Sequence, residues 1–163
     1  MNQRIHYLTH GAIIAALYAV LCHLQNLILP GSVTWAIQMR LAEALNILAF
    51  FTPAAVSGLA LGCLVFNLTF SAALPLDFLV GTLATPLAAQ GMYMMRKKPA
   101  LGLFFPAIAN GVLVGWELTV YIGGGFLINA IYVAIGEAIV MLTVGAALYY
   151  AMKKRKLDTV LFG

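Results

Sequence analysis

A water-soluble fold needs a charged surface, and this chain has almost no charge from which to build one. Nine Lys or Arg and five Asp or Glu side chains are spread over 163 residues, so charged residues make up 9% of the chain and apolar ones 63%. Soluble domains carry roughly 25% charged residues. That deficit excludes a soluble enzyme and, more firmly, a disordered chain. What remains is an all-α integral membrane protein. A helical span takes about 20 apolar residues, so six spans use most of the length and leave no room for a soluble catalytic domain. The chain is expected to be a single transmembrane domain over residues 1–163 and not an enzyme.

Apolar runs and breakers place the six expected helices at about 7–29, 35–51, 54–71, 76–95, 100–122 and 126–152. Pro30-Gly31, Thr52-Pro53, Pro75 and Gly123-Gly124-Gly125 separate them. The second is the weakest, because Arg40, Glu43 and Asn46 interrupt it; a re-entrant hairpin of helices two and three is the alternative. The N-terminus reads as a retained first span, since no A-x-A cleavage pattern follows it. A net charge of +4 would elsewhere suggest nucleic acid, but the basic residues sit at helix ends. With both termini cytoplasmic, Arg4, Arg96, Lys97, Lys98 and the run Lys153–Lys156 all fall on the cytoplasmic side, as the positive-inside bias requires. The partner these residues point to is the lipid bilayer, with no nucleic acid. Arg40 is the exception, with no topological role.

An ionised side chain near the bilayer centre costs roughly 2.5–3.5 kcal/mol even on lenient insertion scales. Glu43, Asp77, Glu117 and Glu137 nevertheless fall within or beside spans. The expected orientation puts all four in the outer half or the middle, which suggests one cavity open to the outside. Asn110, Glu117 and Tyr121 share a helical face by spacing, as do Asp77, Gly81 and Thr85; Asn129, Tyr132, Gly136 and Glu137 cluster on helix six. Asn67, Trp35 and Trp116 lie at similar depth. Carboxylates, amides and rings together suit a small, planar, nitrogen-rich, cationic ligand. Blander readings compete: an Arg40–Glu43 pair, Asp77 as a helix cap, the aromatics as an interfacial belt, and the amides as bonds between helices. Cys22 and Cys63 read as small core residues, and the three histidines have no metal spacing, so neither metal nor cofactor is expected.

Helix one carries Gly11, Ala15 and Ala19 at intervals of four, with Ala12 and Ala16 beside them. Such stripes let helices approach closely. They serve either internal packing or the docking of another membrane subunit.

Several ordered segments carry a family resemblance: Ile37–Leu45, Phe51–Ala55, Gly58-Leu59 through Gly62-Cys63-Leu64 to Asn67, Asp77 through Gly81–Thr85, Gly115-Trp116-Glu117, and Tyr132–Glu137. Together, across about residues 8–152, the chain resembles the QueT family, substrate-binding S components of energy-coupling factor (ECF) transporters. It departs at Met39, Leu41 and Ala42, apolar or small exchanges that leave the charged frame intact. The resemblance implies a six-helix S component in a prokaryotic plasma membrane, taking up a queuosine precursor, with preQ1 the favoured deazaguanine. It also implies partners, a transmembrane coupling protein and two ATPases, against which the S component topples. The docking stripe then maps to Gly11, Ala12, Ala15, Ala16 and Ala19. No G-x-x-x-x-G-K-[ST] run is present, so ATP hydrolysis would come from those partners. In the expected site Glu137 takes the deeper ligand group, Glu117 or Asp77 the other, and Asn67 or Arg40 the exocyclic oxygen; Glu43, Asn110, Trp116, Tyr121 and Tyr132 complete it. The competing class is a self-sufficient secondary transporter or channel that uses the same acids as a cation relay.

Overall fold

The computed structural model describes residues 3–32, 37, 39–70 and 75–162. Trp35 lies outside the described residues. Every regular element among them is helical: α1 (Gln3–Ile28), a 3₁₀ helix (Leu41–Phe50), α2 (Ala54–Thr69), α3 (Asp77–Met94), α4 (Pro99–Gly102), α5 (Phe105–Tyr121), α6 (Phe126–Val140), a π turn (Met141–Gly145), α7 (Ala146–Lys154) and α8 (Leu157–Phe162). Among the described residues, three stretches are long and apolar enough to cross a membrane: Gln3–Ile28, Pro99–Tyr121 and Phe126–Lys154; Leu41–Phe50 and Ala54–Thr69 are shorter apolar helices. The exposed surface is correspondingly greasy, with Leu8, Leu27, Leu68, Ile108, Val120 and Leu127 all more than half exposed. Aliphatic side chains of that size in open contact with solvent mark a lipid-facing surface. The chain is a membrane protein.

The helix ends fall where the backbone chemistry changes. Gly31, Gly123 and Gly124 adopt positive φ of 84°, 84° and 80°, a region that side chains resist. Pro99 and Pro106 stand in the first turns of α4 and α5, where the missing N–H costs nothing.

The main packing pairs are α5 with α6, α1 with α2, α3 with α5, and α2 with α3. The α1–α2 seam depends on glycine. A Cβ at Gly58 would fall 2.6 Å from the Gly11 carbonyl oxygen, and one at Gly62 would fall 2.7 Å from the Ala15 carbonyl oxygen. Backbone meets backbone there, the close approach that small residues permit in membranes. The same device seats α5 on α6, where a Cβ at Gly115 would strike the Ala130 backbone at 2.6 Å.

The second element departs from expectation. Instead of an α-helix over 35–51, the described residues form a ten-residue 3₁₀ helix from Leu41. At about 2.0 Å rise per residue it covers roughly 20 Å, less than a hydrocarbon core of about 30 Å. It packs against α1, α2, α3, α6 and α7, and eight of its ten residues are buried. It is the inner element around which the others gather, which explains why so polar a segment survives in so apolar a chain.

Candidate functional site

The 3₁₀ pitch sets the first row of the site. With three residues per turn, side chains three apart eclipse one another, so Glu43 and Asn46 stack along one edge, and Arg40 precedes the helix as its N-cap. All three are buried. The Asn46 Nδ2 donates to Glu43 Oε2 at 2.6 Å and to the Glu43 carbonyl oxygen at 3.1 Å. From α1, the Tyr18 hydroxyl donates to Glu43 Oε1. Glu43 therefore has both oxygens occupied and is a structural anchor as well as a member of the site.

α2 and α3 supply the next wall. The Asn67 Nδ2 donates to the Asp77 carbonyl oxygen at 2.7 Å and reaches Cys63 Sγ at 3.5 Å. On α3, Asp77, Gly81 and Thr85 follow at intervals of four and are all buried. A Cβ at Gly81 would lie 2.9 Å from Asn67 Nδ2 and 3.9 Å from Arg40 Nη1, so this glycine makes the space in which the amide and the guanidinium meet. The Arg40 guanidinium lies 5.7 Å from the Phe66 ring centroid.

α5 and α6 close the group. Glu117 faces Asp77, with Arg40 within electrostatic reach; Glu137 lies within reach of Glu43 and Arg40. Glu43, Asp77, Glu117 and Glu137 are 1%, 5%, 0% and 4% exposed. Four carboxyl groups from four separate elements thus surround Arg40, the one buried Lys or Arg among the described residues. All four side chains are buried among the helices.

The polar atoms left without partners decide what this group can do. Buried polar groups in folded proteins are almost always hydrogen-bonded. Here Arg40 Nε, Asn46 Oδ1, Asn67 Oδ1, Thr82 Oγ1, Asn110 Nδ2, both Glu117 oxygens and Glu137 Oε2 are buried without a complementary hydrogen-bond partner within the described residues, Glu117 standing only against the Asp77 carboxyl. Five of these atoms accept, two donate and the Thr82 hydroxyl can do either. Asn110 sits two turns before Glu117 on the buried face of α5.

The other expected site residues lie elsewhere. Trp116, Tyr121 and Tyr132 are 49%, 40% and 42% exposed. Trp116 is one residue from Glu117 and so about 100° around the helix; Tyr132, five before Glu137, is about 140° away from it. Tyr121 ends α5. The Asn129 Nδ2 donates to Thr119 Oγ1 and to the Gly123 carbonyl oxygen, each at 3.0 Å, and so ties the α5–α6 turn. Of the α1 stripe, Gly11, Ala15 and Ala19 are buried, Gly11 and Ala15 in the seam with α2; Ala12 and Ala16 are exposed. Among the described residues, no group of three His, Cys, Asp or Glu side chains could hold a metal ion. An apolar cavity of about 320 Å³ lies apart from the acids, lined by Ile13, Leu17, Leu48, Leu148, Met152 and Phe162 among others.

Sequence reasoning passed over Tyr18 and Asn46 as members of the site. Asn46 carries a signal in its spacing of three from Glu43, which makes the two neighbours on a helix surface. Tyr18 carries none: it is one aromatic in an apolar run.

Comparison with known families bears directly on this buried group of acids. A family model described as QueT transporter matches residues 8–154, a range that holds every member of the polar cluster. The chain belongs to the QueT transporter family. It is therefore a membrane transporter. Searches of curated proteins and of solved structures gave no match.

Proposed function

We propose that this QueT family member is the substrate-binding subunit of an ATP-driven importer and that its ligand is an aminomethyl deazaguanine, preQ1. The observation that carries the reading is the inventory of unpaired buried atoms. Five acceptors against two donors, with the Thr82 hydroxyl able to act as either, call for a ligand rich in N–H groups and poor in acceptors. PreQ1 offers its ring N–H groups, its exocyclic amine and an ammonium arm as donors, and its exocyclic oxygen and one ring nitrogen as acceptors. The two Glu117 oxygens suit two parallel bonds to the guanine-like edge, and Glu137 suits the ammonium. Arg40 Nε and Asn110 Nδ2 remain for the two ligand acceptors. The nitrile precursor replaces the ammonium by a further acceptor and fits the inventory worse.

In this reading the chain crosses a prokaryotic plasma membrane six times with both termini cytoplasmic. The 3₁₀ helix and its flanking segment supply the second crossing. A transmembrane coupling protein and two ATPases energise uptake, and the exposed Ala12 and Ala16 of α1 meet the coupling protein. The test is mass spectrometry of small molecules that co-purify with the chain, followed by reconstitution of the chain alone. Recovery of a deazaguanine and binding without flux are expected. Gradient-driven flux by the chain alone, or absence of any deazaguanine, would overturn the proposal.

A further inference from the structure

Arg40 is the cation among the four acids, yet it sits outside the 3₁₀ helix, in extended backbone with φ −80° and ψ 103°. A charge on a connecting segment is poorly placed to hold a ligand unless something fixes the backbone on both sides of it.

Gln25, buried on α1, makes that fixation. Its Nε2 donates to the Met39 carbonyl oxygen and, at 2.9 Å, to Ser32 Oγ. Its Oε1 accepts from the Leu41 N–H at 2.7 Å. In extended backbone the carbonyl of residue i−1 and the N–H of residue i+1 point to the same side. One side-chain amide therefore grips the two peptide groups that flank Arg40, much as a neighbouring strand would. The Arg40 carbonyl in turn accepts from the Glu43 N–H at 2.9 Å and opens the 3₁₀ helix. Gln25 thus uses three of the four hydrogen-bonding sites of its amide, all on the segment that carries Arg40.

We infer that Gln25 is the positioning residue for Arg40: it holds the guanidinium at the orientation in which its free Nε faces the ligand space. The inference rests on the reading of the buried acids as a substrate site, but its direct readout does not require the ligand. In the detergent-purified chain, the ¹⁵Nε resonance of Arg40, identified by its loss in Arg40→Lys, is recorded in wild type and in Gln25→Leu. The expected result is a displaced and exchange-broadened Arg40 signal, with Arg4, Arg96 and Arg155 unchanged. Ser32→Ala removes a bond that does not flank Arg40 and is expected to leave the signal in place. Should Gln25→Leu not fold, Gln25→Glu keeps the bond from Leu41 and loses the two donated ones; it is expected to move the same resonance.

In parallel, preQ1 affinity is expected to fall about tenfold in Gln25→Leu, the scale of one lost hydrogen bond. In an Arg40→Lys background the same change should have no further effect, because the two residues act as a unit. An unmoved Arg40 resonance, or additive losses of affinity, overturns the positioning role even where the chain binds preQ1. A displaced resonance in a chain that binds no deazaguanine leaves the positioning intact and removes the substrate reading.

Discussion

The α1–α2 seam and the acidic cluster are both buried, and they treat burial in opposite ways. At the seam, Gly58 and Gly62 bring backbone against backbone with no space left over. In the cluster, a side-chain amide, Asn67, takes the place beside Gly81, and polar atoms of Arg40, Asn46, Asn67, Thr82, Asn110, Glu117 and Glu137 stand without complementary partners. The contrast separates scaffold from site. Membrane helices gain no hydrophobic drive from one another and associate through packing, so the seam must be tight. The cluster carries the large cost of buried, unmatched polar groups, which is tolerable only where a ligand supplies the missing partners.

The sharpest way to break the contrast is to give the seam what it lacks. Gly62→Leu puts a side chain where even a Cβ would lie 2.7 Å from the Ala15 carbonyl oxygen and from Tyr18 Cβ. The expected outcome is loss of the monodisperse folded species in size-exclusion chromatography; a folded variant with wild-type thermal midpoint contradicts a rigid seam. Next in size come the carboxylates. Glu117→Gln replaces one of the two acceptors facing the guanine-like edge by a donor, Glu137→Gln removes the negative charge facing the ammonium, and breaking a buried charged hydrogen bond costs roughly 2–5 kcal/mol. Calorimetry should therefore show a loss of preQ1 affinity of at least 30-fold on the order of that cost. The thermal midpoint of the ligand-free chain should not fall, because neither change removes a hydrogen bond formed within the chain by the unpaired oxygens.

A smaller effect is expected at Gly81. The added methyl of Gly81→Ala meets Asn67 Nδ2 at 2.9 Å and must displace an amide that also holds the Asp77 carbonyl. Affinity should fall about tenfold, near the value of one hydrogen bond, with folding retained; an unchanged isotherm shows that the glycine space is not part of the site. The smallest effect on binding belongs to Ala16→Trp. Its side chain projects from the exposed face of α1, away from the seam. Binding should stay at the wild-type value while uptake by the assembled importer is blocked, and retained uptake removes the docking surface.

How much of this was legible beforehand follows the same physics. Charge in hydrocarbon is so costly that Glu43, Asp77, Glu117, Glu137 and Arg40 announced themselves by type alone, and the helical, membrane-embedded class followed from the apolar runs between them. Neutral polar groups carry no such penalty signal. Tyr18 supports Glu43, and Gln25 clamps the segment around Arg40, yet in the sequence each is an ordinary residue of an apolar helix. The second helix misled because its pitch is a tertiary outcome: the 3₁₀ form brings Asn46 under Glu43, whereas an ideal α-helix would have turned it further round. Aromatic residues near acids in sequence were equally deceptive. Trp116 adjoins Glu117, but one step along a helix is enough to turn it to the exposed surface.

Transport of a deazaguanine requires that the unpaired acceptors of α5 and α6 bind a cationic donor-rich ligand. The direct measurement is calorimetric titration of the purified chain with preQ1 and with its nitrile precursor under one set of conditions. The account expects the ammonium-bearing compound to bind at least about 100-fold more tightly, the discrimination that one desolvated charge pair supports. Equal affinities for the two would contradict it.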